Sequence, residues 1–384
     1  MFTSKLPDVG TTIFTVMTEL AQRSGAINLA QGFPDYACSP QLVDYVTQAM
    51  RDGHNQYAPM PGLLALRNAV AESYAQRSIS VDFEAELTIT PGATAALYTA
   101  FAAFVHPGDD VVILTPAYDS YSPAVRSLGG RVLPVPLHEL SFTPDWNAIR
   151  AAITPQTRII VVNTPHNPSG TVWGTDDLLE LQRLAVDHNL IVVSDEVYDR
   201  MTFDGVLHLS PFAFPGLRDR TIVVSSFGKT LHVTGWKVGC LLAAPALTLE
   251  LRRIHQFLAF SVHTPTQHAI ANIIADPSIG DELQRFFTAK RNLFREQLQH
   301  SSLRLLPCQG TYFQLVEYAS NVDDVEMSKR CTTEYGVAAI PLSPFMHGTA
   351  WPSPPKLLRF CFAKHDETLV RAAERLVAAF PAVG

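Results

Sequence analysis

The segment LIVVSDEVY (residues 190–198) is a short apolar run, rich in β-branched side chains, that ends in acidic and aromatic ones. Six similar runs occur in the chain, at 87–90 (LTIT), 111–115 (VVILT), 131–135 (RVLPV), 159–163 (IIVVN), 221–225 (TIVVS) and 238–243 (VGCLLA). Such runs are typical of buried strands, and helix-like stretches such as 91–104 and 175–188 separate them. This alternation predicts an α/β fold with a mostly parallel seven-stranded sheet that carries helices on both faces.

The composition is that of a folded protein with a large core. Of the 384 residues, 47% are hydrophobic and 17% are charged, which excludes disordered and fibrous classes and indicates one large domain with a smaller one attached. The 29 Lys and Arg against 36 Asp and Glu give a net charge of −7, so we expect no nucleic-acid partner. The most apolar stretches, around 95–105 and 238–249, are too short or too interrupted to cross a bilayer, so we expect no membrane partner.

The cysteines predict a reducing environment. The five cysteines are odd in number and form no Cys-x-x-Cys pair, which is typical of free thiols rather than of a disulfide framework or a zinc site. The N-terminal sequence MFTSKLPDVGTTIF lacks the basic and long apolar blocks of a secretory signal. We therefore expect a cytoplasmic protein. The 13 histidines show no spacing typical of a metal site, so we expect no metal.

Polar side chains gather where the predicted strands end. In parallel sheets, ligands bind beyond the carboxyl ends of the strands, so the residues that follow each run form the candidate site. These positions carry Gly92, Ala93 and Thr94 at a helix start, followed along the chain by Tyr118, Asn167, Asp195, Tyr198, Ser226 and Lys229. One edge of the sheet thus combines backbone amides, aromatic rings, an amide, a carboxylate, a hydroxyl and an amine.

This combination of groups suits one kind of ligand. The backbone amides of Ala93 and Thr94 begin a helix and can bind a phosphate. Tyr118 can stack on a flat heterocycle, and Asp195 can pair with a protonated ring nitrogen. Lys229 lies in an apolar, hydroxyl-rich turn with the cation Lys237 eight positions on, so we expect an amine with a lowered pKa. A flat heterocycle with a phosphate and an aldehyde is pyridoxal 5'-phosphate (PLP), the expected cofactor.

Several motifs resemble those of a known family. NTPHNPSG (163–170), SDEVY (194–198) and SSFGKTLHVTGWKVG (225–239) resemble the class I aminotransferases of fold type I. QGFPDY (31–36), NQYAPMPG (55–62), TPGATAAL (90–97) and LRFCFAK (358–364) are similar to the branch that holds methionine aminotransferase and the kynurenine and glutamine transaminases. The motifs follow in order from about Gly10 to the last helix, so the resemblance spans essentially the whole chain.

The resemblance implies a role for each candidate residue, with Lys229, Asp195 and Tyr198 as the catalytic residues. Lys229 would bind PLP as a Schiff base and move a proton between the substrate Cα and the cofactor C4′, while Asp195 would keep the pyridine nitrogen protonated. The other implied cofactor contacts are Asn167 and Tyr198 on the ring 3-oxygen, Tyr118 on the ring face, and Ala93, Thr94, Ser226, Lys237 and a second subunit's Tyr57 at the phosphate. Arg359 would bind the substrate carboxylate through a bidentate pair, assisted by Gly32 and Asn167. A residue from a second subunit requires a homodimer.

The implied enzyme is an aminotransferase with two domains. Residues 43–275 would form the large PLP-binding domain, and residues 1–42 with 276–384 a smaller α/β domain. The reaction would move the amino group of an L-amino acid to a 2-oxo acid by a ping-pong mechanism. We expect an uncharged side chain on the donor, methionine-like or aromatic, since no second arginine lies in an evident distal motif. Ile13 and Phe14, where some kynurenine-active relatives have tryptophan, favour methionine-like donors.

Several alternatives stay open on the sequence. Asp195 can also be a helix cap, although the apolar strand before it favours a ligand role for Asp195 and a structural role for Glu196. Arg359 can form an internal salt bridge instead of binding a ligand. His166, His232 and His263 lie near the expected site, and each is a better candidate for a satisfied polar side chain than for a specificity residue. An enzyme of the same fold that eliminates the β-substituent of cysteine conjugates also begins with removal of the Cα proton. A non-catalytic PLP sensor is less well supported, since the lysine is present and no DNA-binding module fits before Val9.

Overall fold

The computed structural model describes residues 3–382. Its strands are, in chain order, β1 (Ile27–Asn28), β2 (Leu87–Thr90), β3 (Asp110–Thr115), β4 (Arg131–Pro136), β5 (Thr157–Asn163), β6 (Ile191–Asp195), β7 (Thr221–Ser226), β8 (Gly239–Ala243), β9 (Arg304–Leu305), β10 (Phe313–Glu317), β11 (Val337–Ala338), β12 (Ile340–Pro341) and β13 (Leu357–Cys361). The helices are α1 (Ile13–Ser24), α2 (Pro40–Arg51), α3 (Leu64–Ala75), α4 (Ala93–Phe104), α5 (Tyr121–Ser127), α6 (Trp146–Ala152), α7 (Thr175–Asp187), α8 (Pro215–Arg218), α9 (Phe227–Thr230), α10 (Pro245–Leu258), α11 (Thr264–Ile274), α12 (Ile279–Leu298), α13 (Asp324–Thr333) and α14 (Asp366–Ala379).

The largest sheet contains seven strands in the order β2-β8-β7-β6-β5-β3-β4. Strand β8 is antiparallel to both of its neighbours, and the pairs from β7 to β4 are parallel. Each of the seven apolar runs forms one of these strands, so the predicted mostly parallel sheet is confirmed. The register pairs Asn163 at the end of β5 with Asp195 at the end of β6, which brings the polar residues of two chain-distant motifs side by side.

Helices cover both faces of this sheet because its strands are apolar on both sides. In β3, Val111 and Ile113 are buried in a cluster with α4, while Val112 and Leu114 are buried in another cluster with α7. Successive side chains of a strand point to opposite faces, so a continuous apolar run needs a cover on each. The sheet is therefore the middle layer of three.

The C-terminal third of the chain forms a second sheet. Strands β12, β13, β10 and β9 pair antiparallel in that order, and α12 packs against α14 beside them. The N-terminal segment joins this part, since β1 pairs in parallel with β11 and α1 packs on α13. Helix α2, by contrast, packs on α11 of the large part. Arg359 lies in the middle of β13. The four-stranded sheet therefore places Arg359 next to the strand ends of the seven-stranded sheet.

Two further observations concern the expectations from composition. All five cysteines are free thiols, as their number and spacing predict. Within residues 3–382, we find no helix with the length and apolar character needed to span a membrane.

Candidate active site

A cavity of about 320 Å³ lies at the carboxyl ends of the central strands. Its walls come from the strand ends of the seven-stranded sheet, from Phe14 of α1, from residues 31–33, and from β10 and β13. All but one of the predicted site residues line it: Gly32, Ala93, Thr94, Tyr118, Asn167, Asp195, Tyr198, Ser226, Lys229, Lys237 and Arg359. The structure therefore brings into one cavity residues that are more than 300 positions apart in the chain.

Asp195 is a buried carboxylate that faces this cavity. Its Oδ2 accepts a hydrogen bond of 2.6 Å from the Tyr121 hydroxyl, and its Oδ1 one of 3.3 Å from the Val197 amide. Among residues 3–382, no cationic side chain lies within salt-bridge distance of it. Burial raises the pKa of Asp195 to about 6, although these hydrogen bonds and the charge of Lys229 act to lower it.

Glu196, the next residue, points away from the cavity. Its carboxylate accepts hydrogen bonds from Ser194 at 2.9 Å, Ser210 at 2.8 Å and His208 at 2.7 Å, and it is inaccessible to solvent. We call these four residues the support network. Asp195, the last residue of β6, therefore lines the cavity, whereas the carboxylate of Glu196 is hydrogen-bonded inside the protein.

Lys229 reaches the cavity from α9, a single turn that follows β7 directly. Its Nζ donates a hydrogen bond of 3.2 Å to the backbone carbonyl of Gly32. Burial lowers the pKa of Lys229 to about 8, with Arg359 and Lys237 acting in the same direction and Asp195 opposing them. A lysine with this pKa is substantially neutral just above physiological pH, which is the form that attacks carbonyl groups.

One end of the cavity is shaped for an anion. Helix α4 begins at Ala93, so the amides of its first turn have no partner inside the helix. Gly92 precedes it with φ +81, and a side chain there would lie 3.4 Å from the Lys237 Nζ. In the described part of the chain, the Lys237 ammonium has neither an acidic partner nor a hydrogen bond. Free amides, a lysine and the Ser226 hydroxyl on one wall fit a phosphate.

Arg359 also lines the cavity and is 1% exposed. Its Nη1 donates to Asn167 Oδ1 at 2.7 Å and its Nη2 to the carbonyl of Ala30 at 3.2 Å, while its Nε is buried without a partner. Within residues 3–382 no carboxylate lies within 4.0 Å of it, so an internal salt bridge does not form. The guanidinium instead lies 3.9 Å from the Phe313 ring and 5.2 Å from the Phe14 ring. A buried cation without a counter-ion is strongly disfavoured unless a ligand supplies the negative charge.

Asn167 and Asp195 are held in place by one further amide, that of Asn163. The Asn163 side chain accepts the backbone N–H of Asn167 at 2.8 Å and donates to the backbone carbonyl of Asp195 at 2.8 Å. Tyr118 and Tyr198 form walls at the same level, and burial raises the pKa of Tyr118 to about 12 and that of Tyr198 further. Both phenols therefore stay neutral hydrogen-bond donors at physiological pH.

Tyr57 is the predicted residue that lies outside the cavity. Its side chain is 82% exposed and packs on the edge of the Phe260 ring, with a centroid distance of 5.5 Å. The nearby side chains of Phe257 and Leu258 on α10 are 88% and 44% exposed. Tyr57 therefore does not line the candidate active-site cavity of its own chain.

Four residues at or beside the site were not predicted from the sequence: Tyr121, Asn163, Tyr312 and Phe313. Asn163 is the last residue of β5, so the same rule on strand ends would have found it. Tyr121 begins α5, three residues after Tyr118, and this spacing on a helical turn was an available signal. Tyr312 and Phe313 precede and begin β10, and nothing local in the sequence connects that strand with the cavity.

The three histidines expected near the site, His166, His232 and His263, do not line the cavity, and the buried Nε2 of His232 has no hydrogen-bond partner within residues 3–382. His166 bonds through Nδ1 to Ser169 at 2.6 Å and through Nε2 to the Pro116 carbonyl at 2.8 Å, and burial lowers its pKa to about 4. His263 bonds to Thr266, while His232 packs among aromatic rings and its pKa is also lowered to about 4 by burial. In residues 3–382 no three His, Cys, Asp or Glu side chains are placed to bind a metal.

Comparisons with known proteins agree with this geometry. The family model described as aminotransferase class I and II matches residues 24–376. Methionine aminotransferase of Escherichia coli (strain K12) is 47% identical over 377 residues, 97% of both chains. A probable N-succinyldiaminopimelate aminotransferase of Mycobacterium tuberculosis is 36% identical, with 98% of both chains covered. A crystal structure of an Escherichia coli protein with a methionine aminotransferase function superposes with a TM-score of 0.94 at 46% identity, covering 98% of this chain and 99% of that one.

The family predicted from the sequence motifs is therefore confirmed over nearly the whole chain, and so is the α/β fold. The matched region includes every residue that lines the candidate site except Phe14. The chain belongs to the class I and II aminotransferases and is a PLP-dependent aminotransferase of fold type I.

Proposed function

We propose that this aminotransferase takes its amino group from an L-amino acid with an uncharged, medium-sized side chain, methionine-like or aromatic, and passes it to a 2-oxo acid. The observation that carries this proposal is Arg359, a buried cation that has no carboxylate partner within residues 3–382 and lines the cavity. It fits the α-carboxylate that every such substrate shares. Among the described residues that line the cavity, no second arginine is present to bind an acidic side chain.

The walls beside Arg359 support the choice of side chain. Phe14 lies 5.8 Å from Phe345 and 6.5 Å from Tyr118 between ring centroids, so aromatic surface surrounds the space next to the carboxylate site. Apolar and thioether side chains gain from contact with such rings, whereas a carboxylate would lose hydration without gaining a partner. The methionine aminotransferase relative is consistent with this preference.

PLP fits the cavity between the phosphate end and Arg359. Asp195 offers a buried negative charge without a cationic partner, which suits a protonated pyridine nitrogen. The first turn of α4, Ser226 and Lys237 would hold the phosphate, Tyr118 the ring face, and Asn167 with Tyr198 the ring 3-oxygen. When bound, PLP supplies an electron sink that stabilises negative charge at the substrate Cα.

Lys229 provides the covalent amine and the proton transfer. Its amine would hold the cofactor between turnovers and, once released, would take the proton from the substrate Cα and deliver it to C4′. Its lowered pKa suits both roles, because the amine must be neutral to attack and basic enough to accept a proton. The two half-reactions share this one lysine, which supports a ping-pong order.

We further propose a homodimer in which Tyr57 completes the phosphate site of the partner subunit. The exposed aromatic and aliphatic side chains around Tyr57 support it, since such a cluster is unusual on a free surface. A mixed-dimer experiment tests the idea: Tyr57→Phe and Lys229→Ala subunits, each impaired alone, should regain up to about a quarter of wild-type activity when mixed. No recovery, or a monomer by light scattering, would exclude the shared site.

The division of the chain into 43–275 and 1–42 with 276–384 is also a proposal. The packing of α1 and β1 on C-terminal elements supports it. We propose that the second unit closes on the substrate, since it carries Arg359. A cytoplasmic location, inferred from the free thiols, stays a prediction.

The experiment for the substrate class is a half-reaction panel. PLP-loaded protein is mixed with one amino acid at a time, and the loss of the cofactor's visible absorbance is followed without any 2-oxo acid. We expect methionine, and next to it aromatic amino acids, to react at least about tenfold faster than aspartate or glutamate, since unpaired burial of a carboxylate costs more than 1.4 kcal/mol. A faster reaction with aspartate would contradict the proposed substrate class.

A further inference from the structure

A tyrosine outside the cavity wall contacts the same atom as the reactive lysine. Tyr312, just before β10, is inaccessible to solvent, and its hydroxyl donates a hydrogen bond of 2.6 Å to the Gly32 carbonyl. That carbonyl also accepts the hydrogen bond from Lys229 Nζ. The Tyr312 ring centroid lies 5.6 Å from Lys229 Nζ and 5.2 Å from the Tyr198 ring. Within residues 3–382, the Gly32 carbonyl is the one acceptor to which Lys229 donates, and Tyr312 donates to the same oxygen.

Gly32 belongs to a segment that crosses the front of the cavity. This strap, residues 31–36, is tied to the C-terminal part by the Lys364 ammonium on the Phe33 carbonyl at 2.8 Å and by the His365 amide on Asp35 at 2.6 Å. The strap also presses closely on β10, since a Cβ on Gly32 would lie 2.8 Å from the Phe313 ring. The position of the Gly32 carbonyl thus depends on how the strap is anchored, and Tyr312 is the anchor that acts on the carbonyl itself.

We propose that Tyr312 is a positioning residue, which fixes the Gly32 carbonyl so that it holds and orients the amine of Lys229 whenever that amine is not bound to cofactor. This inference rests on the proposed role of Lys229. Each turnover releases the lysine, and its Nζ must then keep one lone pair or one proton directed at the substrate. One N–H held by a fixed acceptor restricts rotation about the Cε–Nζ bond and leaves the remaining positions of the nitrogen facing the cavity.

The same contact stabilises the charged form of the lysine. A hydrogen bond from an ammonium group is stronger than one from a neutral amine, so the Gly32 carbonyl raises the pKa of Lys229 against the effect of burial. The charged and titratable groups that face Lys229 from the other elements are Asp195 on β6, Arg359 and Cys361 on β13, Lys237 after α9, and the phenols of Tyr198 and Tyr312. Tyr312→Phe changes none of the charged ones. The Tyr312 hydroxyl also contacts the Tyr198 phenol, so an effect that passes through Gly32 must be reproduced by a substitution of Gly32 itself.

Removal of the hydroxyl in Tyr312→Phe keeps the ring and its packing. We expect the pKa of the free lysine to fall by about one unit, which is roughly a tenfold change in the neutral fraction below the midpoint. Covalent capture of PLP by the apoprotein, followed by absorbance over a range of pH, should then become faster at low pH, because capture needs the neutral amine. Turnover of the loaded enzyme should fall about tenfold in kcat with KM within about twofold, because the amine is less well oriented.

These opposite directions separate positioning from a general loss of structure, which would slow both reactions. The matched control is Tyr318→Phe, another buried tyrosine of the same part, whose hydroxyl donates to the Val322 carbonyl at 2.9 Å away from the site. It should leave the capture midpoint and kcat unchanged. Wild-type values of both quantities in Tyr312→Phe would overturn the proposal.

A second variant keeps the test available if Tyr312→Phe does not fold. Gly32→Ala places a Cβ against the Phe313 ring and moves the carbonyl, so the capture midpoint should fall as well. An unchanged midpoint in a folded Gly32→Ala protein would also overturn the proposal. Failure of the proposed function looks different: wild-type apoprotein would then not capture PLP at any pH.

Discussion

Asp195 and Glu196 are adjacent in the chain and both buried, but their surroundings are opposite. Glu196 has three side-chain donors, among them His208 and Ser210, and lies in the support network. Asp195 accepts one side-chain hydrogen bond, from Tyr121, and faces the cavity without a cation. The carboxylate of Glu196 has all its partners within the protein. The carboxylate of Asp195 lacks a cationic partner unless a ligand supplies one.

The same contrast separates the buried cations. Arg291 is fixed by two hydrogen bonds of 2.7 Å to Asp204, and Lys290 contacts Asp366 at 2.7 Å. Arg359 is buried at least as deeply and has no carboxylate partner within residues 3–382. We therefore expect charged groups that have a partner in the protein to contribute to the free energy of unfolding. Those without a partner should contribute to the binding of cofactor and substrate. Matched pairs of variants test this distinction.

The largest effect is expected for the two lysines. Lys229→Ala removes the proposed covalent amine and base together, so turnover should fall by about 10⁴-fold or more, with the melting temperature close to that of wild type. Lys290→Ala should leave turnover within about twofold and lower stability by about 1 kcal/mol, since it breaks a partly exposed ion pair. Steady-state rates and thermal melting of both proteins check this. Normal turnover in Lys229→Ala would remove the basis of the proposed mechanism.

The two carboxylates come next. Asp195→Asn keeps the shape and removes the charge opposite the proposed pyridine nitrogen, so kcat should fall about 100-fold or more with little loss of stability. Glu196→Gln removes the charged acceptor of three donors and should cost about 1–3 kcal/mol in the free energy of unfolding, while turnover of the folded protein changes less than about tenfold. Urea titrations and kcat values decide. A reversed pattern would mean that the assignment of the two carboxylates is wrong.

The two arginines should differ in a similar way, with a smaller effect. Arg359→Gln should lower kcat/KM for the amino acid by about 30- to 100-fold, as a charge-assisted pair is lost, without destabilising the fold. Arg291→Gln should instead leave kcat/KM unchanged and lower stability, because it removes a buried guanidinium that bonds Asp204 and the Cys308 carbonyl. If Arg359→Gln destabilised the protein as much as Arg291→Gln, Arg359 would be a structural residue.

The smallest effect is expected for the pH dependence of stability. It concerns His166, whose two ring nitrogens both have hydrogen-bond partners in the protein. Its pKa is about 4 in the fold against an ordinary value of 6.5, so the unfolded chain binds a proton that the folded chain excludes between these values. Stability should therefore fall as the pH drops from about 6.5 to about 4, by up to about 3 kcal/mol from this residue. Urea titrations at several pH values should show a shallower dependence in His166→Gln, and the wild-type dependence in His188→Gln, which alters an exposed histidine.

Much of the cavity was predictable because parallel strands end at one edge. The apolar runs predict the strands. The polar residues that follow these strands, from Ala93 to Lys229, then lie together at one edge of the sheet. The sequence also favoured Asp195 over Glu196 as the residue that faces the ligand, but it did not show the partners of Glu196, because Ser210 and His208 lie on a later loop.

Contacts between distant segments could not be predicted from the sequence, for a different reason. Tyr312 and Gly32 are 280 positions apart, and their hydrogen bond depends on how the second sheet and the strap pack against the first. No local pattern encodes that packing. The absence of an internal partner for Arg359 was equally invisible, because an apolar run around an arginine fits both a salt bridge and a ligand site.

The central claim is that Lys229 is the amine that the fold leaves available for PLP. Apoprotein is loaded with PLP, reduced with borohydride to make the bond permanent, digested, and analysed by mass spectrometry. We expect one phosphopyridoxyl group per chain, which fragment-ion masses assign to Lys229 and not to Lys237, eight positions further on in the same segment. A label on another lysine, or no label in wild-type protein, would contradict it.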